Sequence, residues 1–205
     1  VVMYVNGIAL GVLELKRSKV SIGEGIRQNI VNQSDDFIMP FFSTVQYLFA
    51  GNDTEGLRYG TIGTPEKFYL TWKEDVEDTS RILLDKYLLK MCDKERFLEI
   101  IHDAVLFDAG IKKLPRVHQY FGLKAAQENV NNYEGGIIWH TQGSGKSILM
   151  VILAKWILEN HPNARIAIVT DRDELDKQIE RVFKDTEEKI YRTRSGKDLL
   201  KQLRE

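Results

Sequence analysis

One cysteine, Cys92, and four prolines in 205 residues leave little material for covalent staples or rigid loops. A lone thiol excludes an internal disulfide framework and fits a reducing interior. No apolar run approaches the roughly 20 residues that span a bilayer. The opening Val1-Val2-Met3-Tyr4-Val5 has neither the basic flank nor the small-residue cleavage site of a secretory leader. A cytoplasmic protein without a membrane partner is expected. A surplus of positive charge is missing as well: 29 basic side chains stand against 30 acidic ones, for a formal net charge of −1. That balance excludes a protein that coats nucleic acid with its whole surface, so any DNA contact must be local. Low-complexity tracts and repeats at solenoid periods are absent too.

What is present is ordinary for a folded soluble chain, with 43% hydrophobic and 29% charged residues. The length suits one large or two small domains. Val1 to Val5, then Asn6-Gly7, then Ile8 to Leu15 carries the two-residue signal of a tight antiparallel hairpin. The chain thus starts inside a sheet, and so abrupt a start implies that the natural polypeptide extends upstream. Ser21-Ile22-Gly23-Glu24 has capping-box spacing, and Ile22, Ile26 and Ile30 follow along one face, which predicts a helix from about Gly23 to Gln33.

Between Phe41 and Trp72, apolar runs broken by Gly51-Asn52-Asp53, Gly60 and Gly63-Thr64-Pro65 predict further short strands. From Glu77 to Phe107 the spacing becomes helical, with a break near Cys92-Asp93-Lys94, and Pro115 opens another helix reaching about Val130. The last third reads as strand Gly136 to Trp139, glycine loop, helix Lys146 to Glu159, strand Arg165 to Thr170 and helix Glu174 to Lys184. That alternation predicts a parallel sheet with crossover helices, hence an α/β fold. The expected division is 1–75, a helical connector over 76–113, and 114–205.

Two groupings carry chemistry. The first is the loop His140-Thr141-Gln142-Gly143-Ser144-Gly145-Lys146-Ser147. Glycines let backbone N–H groups close round phosphate oxygens, a lysine meets the β/γ charge, and a serine hydroxyl suits Mg²⁺. The loop sits between an apolar segment and a helix whose N-terminus favours anions. Thr141 to Ser147 are therefore candidates for ATP binding, with Ser147 on the metal, although the strictest pattern has glycine at His140. The alternative is a glycine turn that merely starts a helix.

The second grouping is Glu14 with Lys16, two apart on a strand, sharing a face with Cα atoms about 7 Å apart. Such a pair suits metal-dependent phosphodiester cleavage, the carboxylate holding Mg²⁺ and the lysine polarising water. By itself Glu-x-Lys equally describes an exposed ion pair. His102, His118 and His161 show no metal-ligand spacing with Cys92, so packing or surface roles are expected of them.

Val5-Asn6-Gly7-Ile8, Leu13-Glu14-Leu15-Lys16-Arg17, Ile26-Arg27-Gln28-Asn29 and Trp139 to Ser147, taken in order and spacing, resemble the R subunit of type I restriction enzymes. His140 is normal in that family. The resemblance covers nearly the whole chain. It implies a PD-(D/E)xK-like nuclease core followed by the first part of a RecA-like P-loop parallel-sheet domain, with ATP hydrolysis driving translocation on double-stranded DNA. It further implies partnership with methylation and specificity subunits. The family's nuclease motif adds an aspartate on the preceding strand, expected just upstream of Val1. Catalytic candidates are Glu14, Lys16 and Gln28, the last matching the start of a Gln-x-x-x-Tyr element whose tyrosine position holds Asn32; an exposed helix glutamine is the alternative.

Gln119 resembles the glutamine that reads adenine in superfamily 2 motors, its amide able to donate and accept, with Arg116 a weaker companion. Thr170 and Arg172 resemble residues that contact the DNA backbone, while Asp171 is a candidate helix cap. With neither an acidic Asp-Glu box nor a second motor domain within these 205 residues, the segment alone is expected to bind ATP but turn it over poorly. Two other readings stay open: a different helicase-nuclease of type III character, and a non-catalytic ATP-binding scaffold.

Overall fold

A computed structural model describes residues 1–74, 79–186 and 190–204. The chain divides into two compact units, Val1–Val105 with Lys112–Ala125, and Leu106–Ile111 with residue 126 onward. Glu77, where helical spacing was expected to begin, and the expected boundary at 75/76 lie outside the described residues.

The first unit is built on a mixed five-stranded sheet in the order β1 (Val2–Val5), β2 (Ile8–Leu15), β3 (Tyr47–Asn52), β4 (Gly56–Gly60), β5 (Leu70–Thr71). β1 and β2 form the expected hairpin, Val5 opposite Ile8, and Asn6 and Gly7 both take positive φ, as a primed two-residue turn demands. β2 and β3 are parallel, the remaining neighbours antiparallel. A parallel pair needs a crossover, supplied here by helix α1 (Ile22–Asn32) and a 3₁₀ segment, Met39–Thr44.

Alternation along β3 sorts the two faces. Leu48 and Ala50 pack with Val12, Ile22, Ile26, Phe42 and Val45 beneath α1, each fully buried large aliphatic being worth about 1.5–3 kcal/mol. Tyr47 and Phe49 point the other way, stacked at 5.5 Å, where Phe97 meets Tyr47 at 5.5 Å. That second face is covered by helices α2 (Leu83–Met91) and α3 (Lys94–Glu99), the latter running into a π-helical turn, Ile100–Ala104. The break near Cys92 falls where expected, and Asp93 caps α3 by accepting from Arg96 N–H at 3.2 Å. α2 and α3 lie within the first unit.

Ser21 is the N-cap of α1, accepting from Gly23 N–H at 3.2 Å. The expected box partner is corrected: Glu24 pairs with Arg27 at 2.7 Å, and Ile22 N–H donates instead to Glu55 at 2.8 Å, from the β3–β4 turn. The expected stripe also shifts. Ile30 is exposed, and Asn29, fully buried, follows Ile22 and Ile26. Seven residues make almost two turns, so Asn29 lies nearer the centre of the face set by Ile22 than Ile30 does.

Strands β6 (Leu106–Asp108) and β7 (Ile111–Lys113) and helix α4 (Val117–Asn131) follow. In the second unit, helices α5 (Lys146–Asn160) and α6 (Asp173–Asp185) match expectation within a residue. They pack through Val151 and Ala154 against Ile179 and Phe183. α7 (Gly196–Arg204) carries Leu199, Leu200 and Leu203 exposed. The expected strands 136–139 and 165–170 are corrected, since neither segment has strand structure among the described residues. Ile137 is 91% exposed, Trp139 90% and Val169 92%. Apolar runs of this kind become strands only when a neighbouring backbone takes their N–H and C=O groups. The fold is α/β with its five-stranded sheet in the first unit, β6 and β7 pairing as a separate two-stranded sheet; a RecA-like parallel sheet is not formed by the described residues.

Candidate functional site

Glu14 occupies the penultimate position of β2 and lies opposite Ala50 of β3. Cross-strand partners share a face, so Glu14 projects to the α1 side together with Val12. Lys16 follows just beyond the strand, its N–H donating to Gly51 O at 2.9 Å. Both side chains are half-buried. The Lys16 ammonium donates to Gln28 Oε1 on the exposed side of α1. Gln28 thus meets Lys16, while remaining the exposed helix glutamine of the alternative reading.

What lets α1 sit so low is Gly25. A Cβ there would lie 3.2 Å from Ala50 Cβ, 3.5 Å from Glu14 O and 3.5 Å from Lys16 Cγ. One turn on, Asn29 Nδ2 donates to Phe49 O at 2.8 Å, pinning the helix to β3 beside the residue that pairs with Glu14. Asn29 Oδ1 has no hydrogen-bond partner among the described residues. The sequence reading missed both residues, and the available signal was a glycine and an amide on the stripe marked by Ile22 and Ile26. Glu55, which receives Ile22 N–H and Asn52 Nδ2, was missed with no local signal at all.

Among the described residues no group of three or more His, Cys, Asp or Glu side chains is placed to hold a metal ion. Glu14 by itself does not make a divalent-cation site, since such ions take several oxygen ligands.

The glycine loop opens α5 as expected. Gly143 has φ +75° and Gly145, the N-cap, φ +87°, conformations that favour glycine. A Cβ at Gly143 would meet nothing within 4 Å, so backbone conformation and not crowding selects that glycine. Thr141, Gln142, Gly143 and Lys146 are exposed, Ser147 half-buried and Ser144 buried. The Lys146 ammonium donates to His140 O and Thr141 O, both at 3.0 Å. An exposed turn, a helix N-terminus and a lysine folded over it fit a polyanion.

Gln119 belongs to the first unit and the glycine loop to the second. Its Oε1 accepts from Arg116 N–H at 2.8 Å while Arg116 O accepts from Gln119 N–H, a cap for the start of α4. Thr170 is half-buried and Arg172 exposed. The expectation that Asp171 caps α6 is corrected: Arg172 is the N-cap, without a side-chain bond, and Asp171 pairs with Arg172 at 3.8 Å.

Comparison with known proteins bears out the resemblance read from the sequence. Residues 1–67 match the family model for the N terminus of type I restriction enzyme R proteins, and residues 118–205 that for SWI2/SNF2 ATPases. The chain is 30% identical over 234 residues to the type I restriction enzyme HindI endonuclease subunit of Haemophilus influenzae, covering 98% of this chain and 20% of that protein. It is 30% identical over 231 residues to the putative MjaVIIIP endonuclease subunit of Methanocaldococcus jannaschii, covering 99% and 22%. With the SsaAORF53P endonuclease subunit of Staphylococcus saprophyticus it shares 26% over 221 residues, covering 100% and 22%. The chain therefore spans about a fifth of the length of these relatives.

Proposed function

From this similarity along nearly the whole chain, we propose that it is part of the restriction and translocation subunit of a type I restriction-modification system. It acts in the cytoplasm on double-stranded DNA with methylation and specificity subunits. ATP binding at the glycine loop serves DNA translocation, and Glu14, Lys16 and Gln28 serve Mg²⁺-dependent endonucleolytic cleavage. The observation that carries the reading is the Lys16–Gln28 contact in a segment of restriction-subunit type, on the same chain as a P-loop-like turn.

In this reading Gln28 holds the Lys16 ammonium toward the α1 side, where Glu14 also projects. A metal, when bound, would supply an activated water and charge stabilisation. Glu14 is the carboxylate of this chain that would hold it. At the glycine loop, Lys146 would exchange His140 O and Thr141 O for phosphate oxygens, and Ser147 would hold the metal. Thr170 and Arg172 meet the DNA backbone.

The test is a pair of substitutions in the complete subunit assembled with its partners. Lys16→Ala is expected to abolish cleavage and leave ATP-driven translocation intact, whereas Lys146→Ala abolishes translocation. Unchanged cleavage by Lys16→Ala would instead favour a scaffold in which the first unit is an interface.

A further inference from the structure

The turn between Lys16 and α1 is exposed, yet it is held at four points. Val20 N–H donates to Arg17 O at 2.9 Å and Asn52 Nδ2 to Val20 O at 2.9 Å. Ser18 Oγ donates to Asp53 at 3.1 Å, and Thr54 Oγ1 donates to Ser18 O at 3.0 Å. The β3–β4 turn thus serves as a cradle that fixes the backbone of residues 17–20. The two cations this backbone displays, Arg17 and Lys19, are exposed. Among the described residues neither has an ion-pair partner, whereas Arg27 on α1 is neutralised by Glu24 and Glu66 at 2.7 and 2.6 Å.

A fixed backbone carrying two exposed cations that, among the described residues, lie outside any ion pair is preorganised for an anion, because little loop entropy remains to be lost on binding. Asp53, the acid that touches the turn, has its carboxylate engaged by the Ser18 hydroxyl. We propose that Arg17 and Lys19 form a phosphate clamp that grips the backbone of one DNA strand on either side of the phosphodiester presented to Lys16. This rests on the nuclease reading of Lys16 and extends it to how the strand is held.

The reach is adequate. Arg17 is one residue from Lys16 and Lys19 three, so their Cα atoms lie at most about 4 and 11 Å away, with long flexible side chains beyond. Phosphates of one strand recur about every 3.4 Å along the duplex axis, which brings the neighbours of a phosphate at Lys16 within range. Contacts of this class position the strand without reading its sequence.

The test is binding of a short fluorescein-labelled DNA duplex to the full chain, followed by anisotropy without divalent cation, from about 50 to about 200 mM salt. Arg17→Ala with Lys19→Ala is expected to weaken binding about tenfold and to reduce the slope of log affinity against log salt by about 1.8, two phosphates' worth. The charge-keeping pair Arg17→Lys with Lys19→Arg should retain the parent slope. Circular dichroism and melting confirm that both pairs are folded.

A parent-like slope in the alanine pair overturns the clamp. So does a parent-like slope accompanied by weakened assembly with the methylation and specificity subunits, which would make these cations a protein contact. If Lys16→Ala abolishes cleavage while the alanine pair keeps the parent slope, only the clamp fails. If Lys16→Ala leaves cleavage intact, the nuclease reading fails whatever the slope.

Discussion

The Lys16 ammonium reaches from the end of β2 to the side-chain carbonyl of Gln28 in the middle of α1. A strand terminus and a helix interior are thereby joined through two polar tips, with the helix seated on the sheet through Gly25 and Asn29. Lysine carries about 2 kcal/mol of rotamer entropy. A neutral acceptor restricts that freedom without quenching the charge, which an acid at position 28 would do.

Replacing Gln28 with alanine should therefore leave the fold intact and lower the single-turnover cleavage rate of the assembled enzyme roughly tenfold, about 1.4 kcal/mol in barrier. Gln28→Glu should lower it further, because an ion pair holds Lys16 away from the phosphate. ATP-driven translocation measured in parallel should not change. Parent-like cleavage by Gln28→Glu would remove Gln28 from the site.

Asn29 invites a stability measurement. Its Nδ2 satisfies the Phe49 carbonyl from a fully buried position. Asn29→Leu removes that donor and leaves a buried carbonyl without it, a change worth about 1–3 kcal/mol. Denaturant melts of the chain should show that loss at an unchanged m-value. Asn29→Asp should cost more, since a carboxylate would have to be buried beside a carbonyl oxygen.

Local chemistry was legible in the sequence wherever one short segment decides the outcome. Asn6-Gly7 specifies the hairpin, Ser21 the start of α1, Asp93 lies at the helix break, and the glycines around Ser144 open α5. Contacts between distant segments were not legible. Glu55 caps a helix 33 residues away, and nothing near either residue encodes the pairing. The amide of Gln119 was read for its hydrogen-bonding capacity, but its use in capping α4 depends on where that helix starts. Segments 136–139 and 165–170 have strand-like composition without strand structure, because composition cannot supply the neighbouring backbone that a ladder requires.

Lys112 gives a pH signature. It is half-buried, its ammonium donates to Gln46 Oε1, and burial pushes it from an ordinary value of 10.5 down to about 8. The folded chain then holds fewer protons than the unfolded chain between those values. Stability should accordingly rise as pH is raised from about 8 to 10.5, and this contribution should be flat below that window. Lys112→Met should raise the melting temperature at pH 7 and remove this part of the alkaline rise. A lower melting temperature for Lys112→Met would mean that the bond to Gln46 outweighs the desolvation of the ammonium.

Gly25 separates helix propensity from packing. Glycine inside a helix costs roughly 0.5–1 kcal/mol relative to alanine, so on propensity alone Gly25→Ala should stabilise the chain. The added methyl, however, would stand 3.2 Å from Ala50 Cβ and 3.5 Å from Lys16 Cγ, forcing α1 to lift by a few tenths of an ångström. The two effects nearly cancel in stability, leaving a melting free energy within about 1 kcal/mol of the parent. They do not cancel in function, because the lift carries Gln28 away from Lys16 one turn further along the same helix. Cleavage by the assembled Gly25→Ala enzyme should fall severalfold at nearly parental stability. A variant that gains the full propensity increment and cuts DNA at the parent rate would show that the close seat of α1 has no part in aligning Lys16.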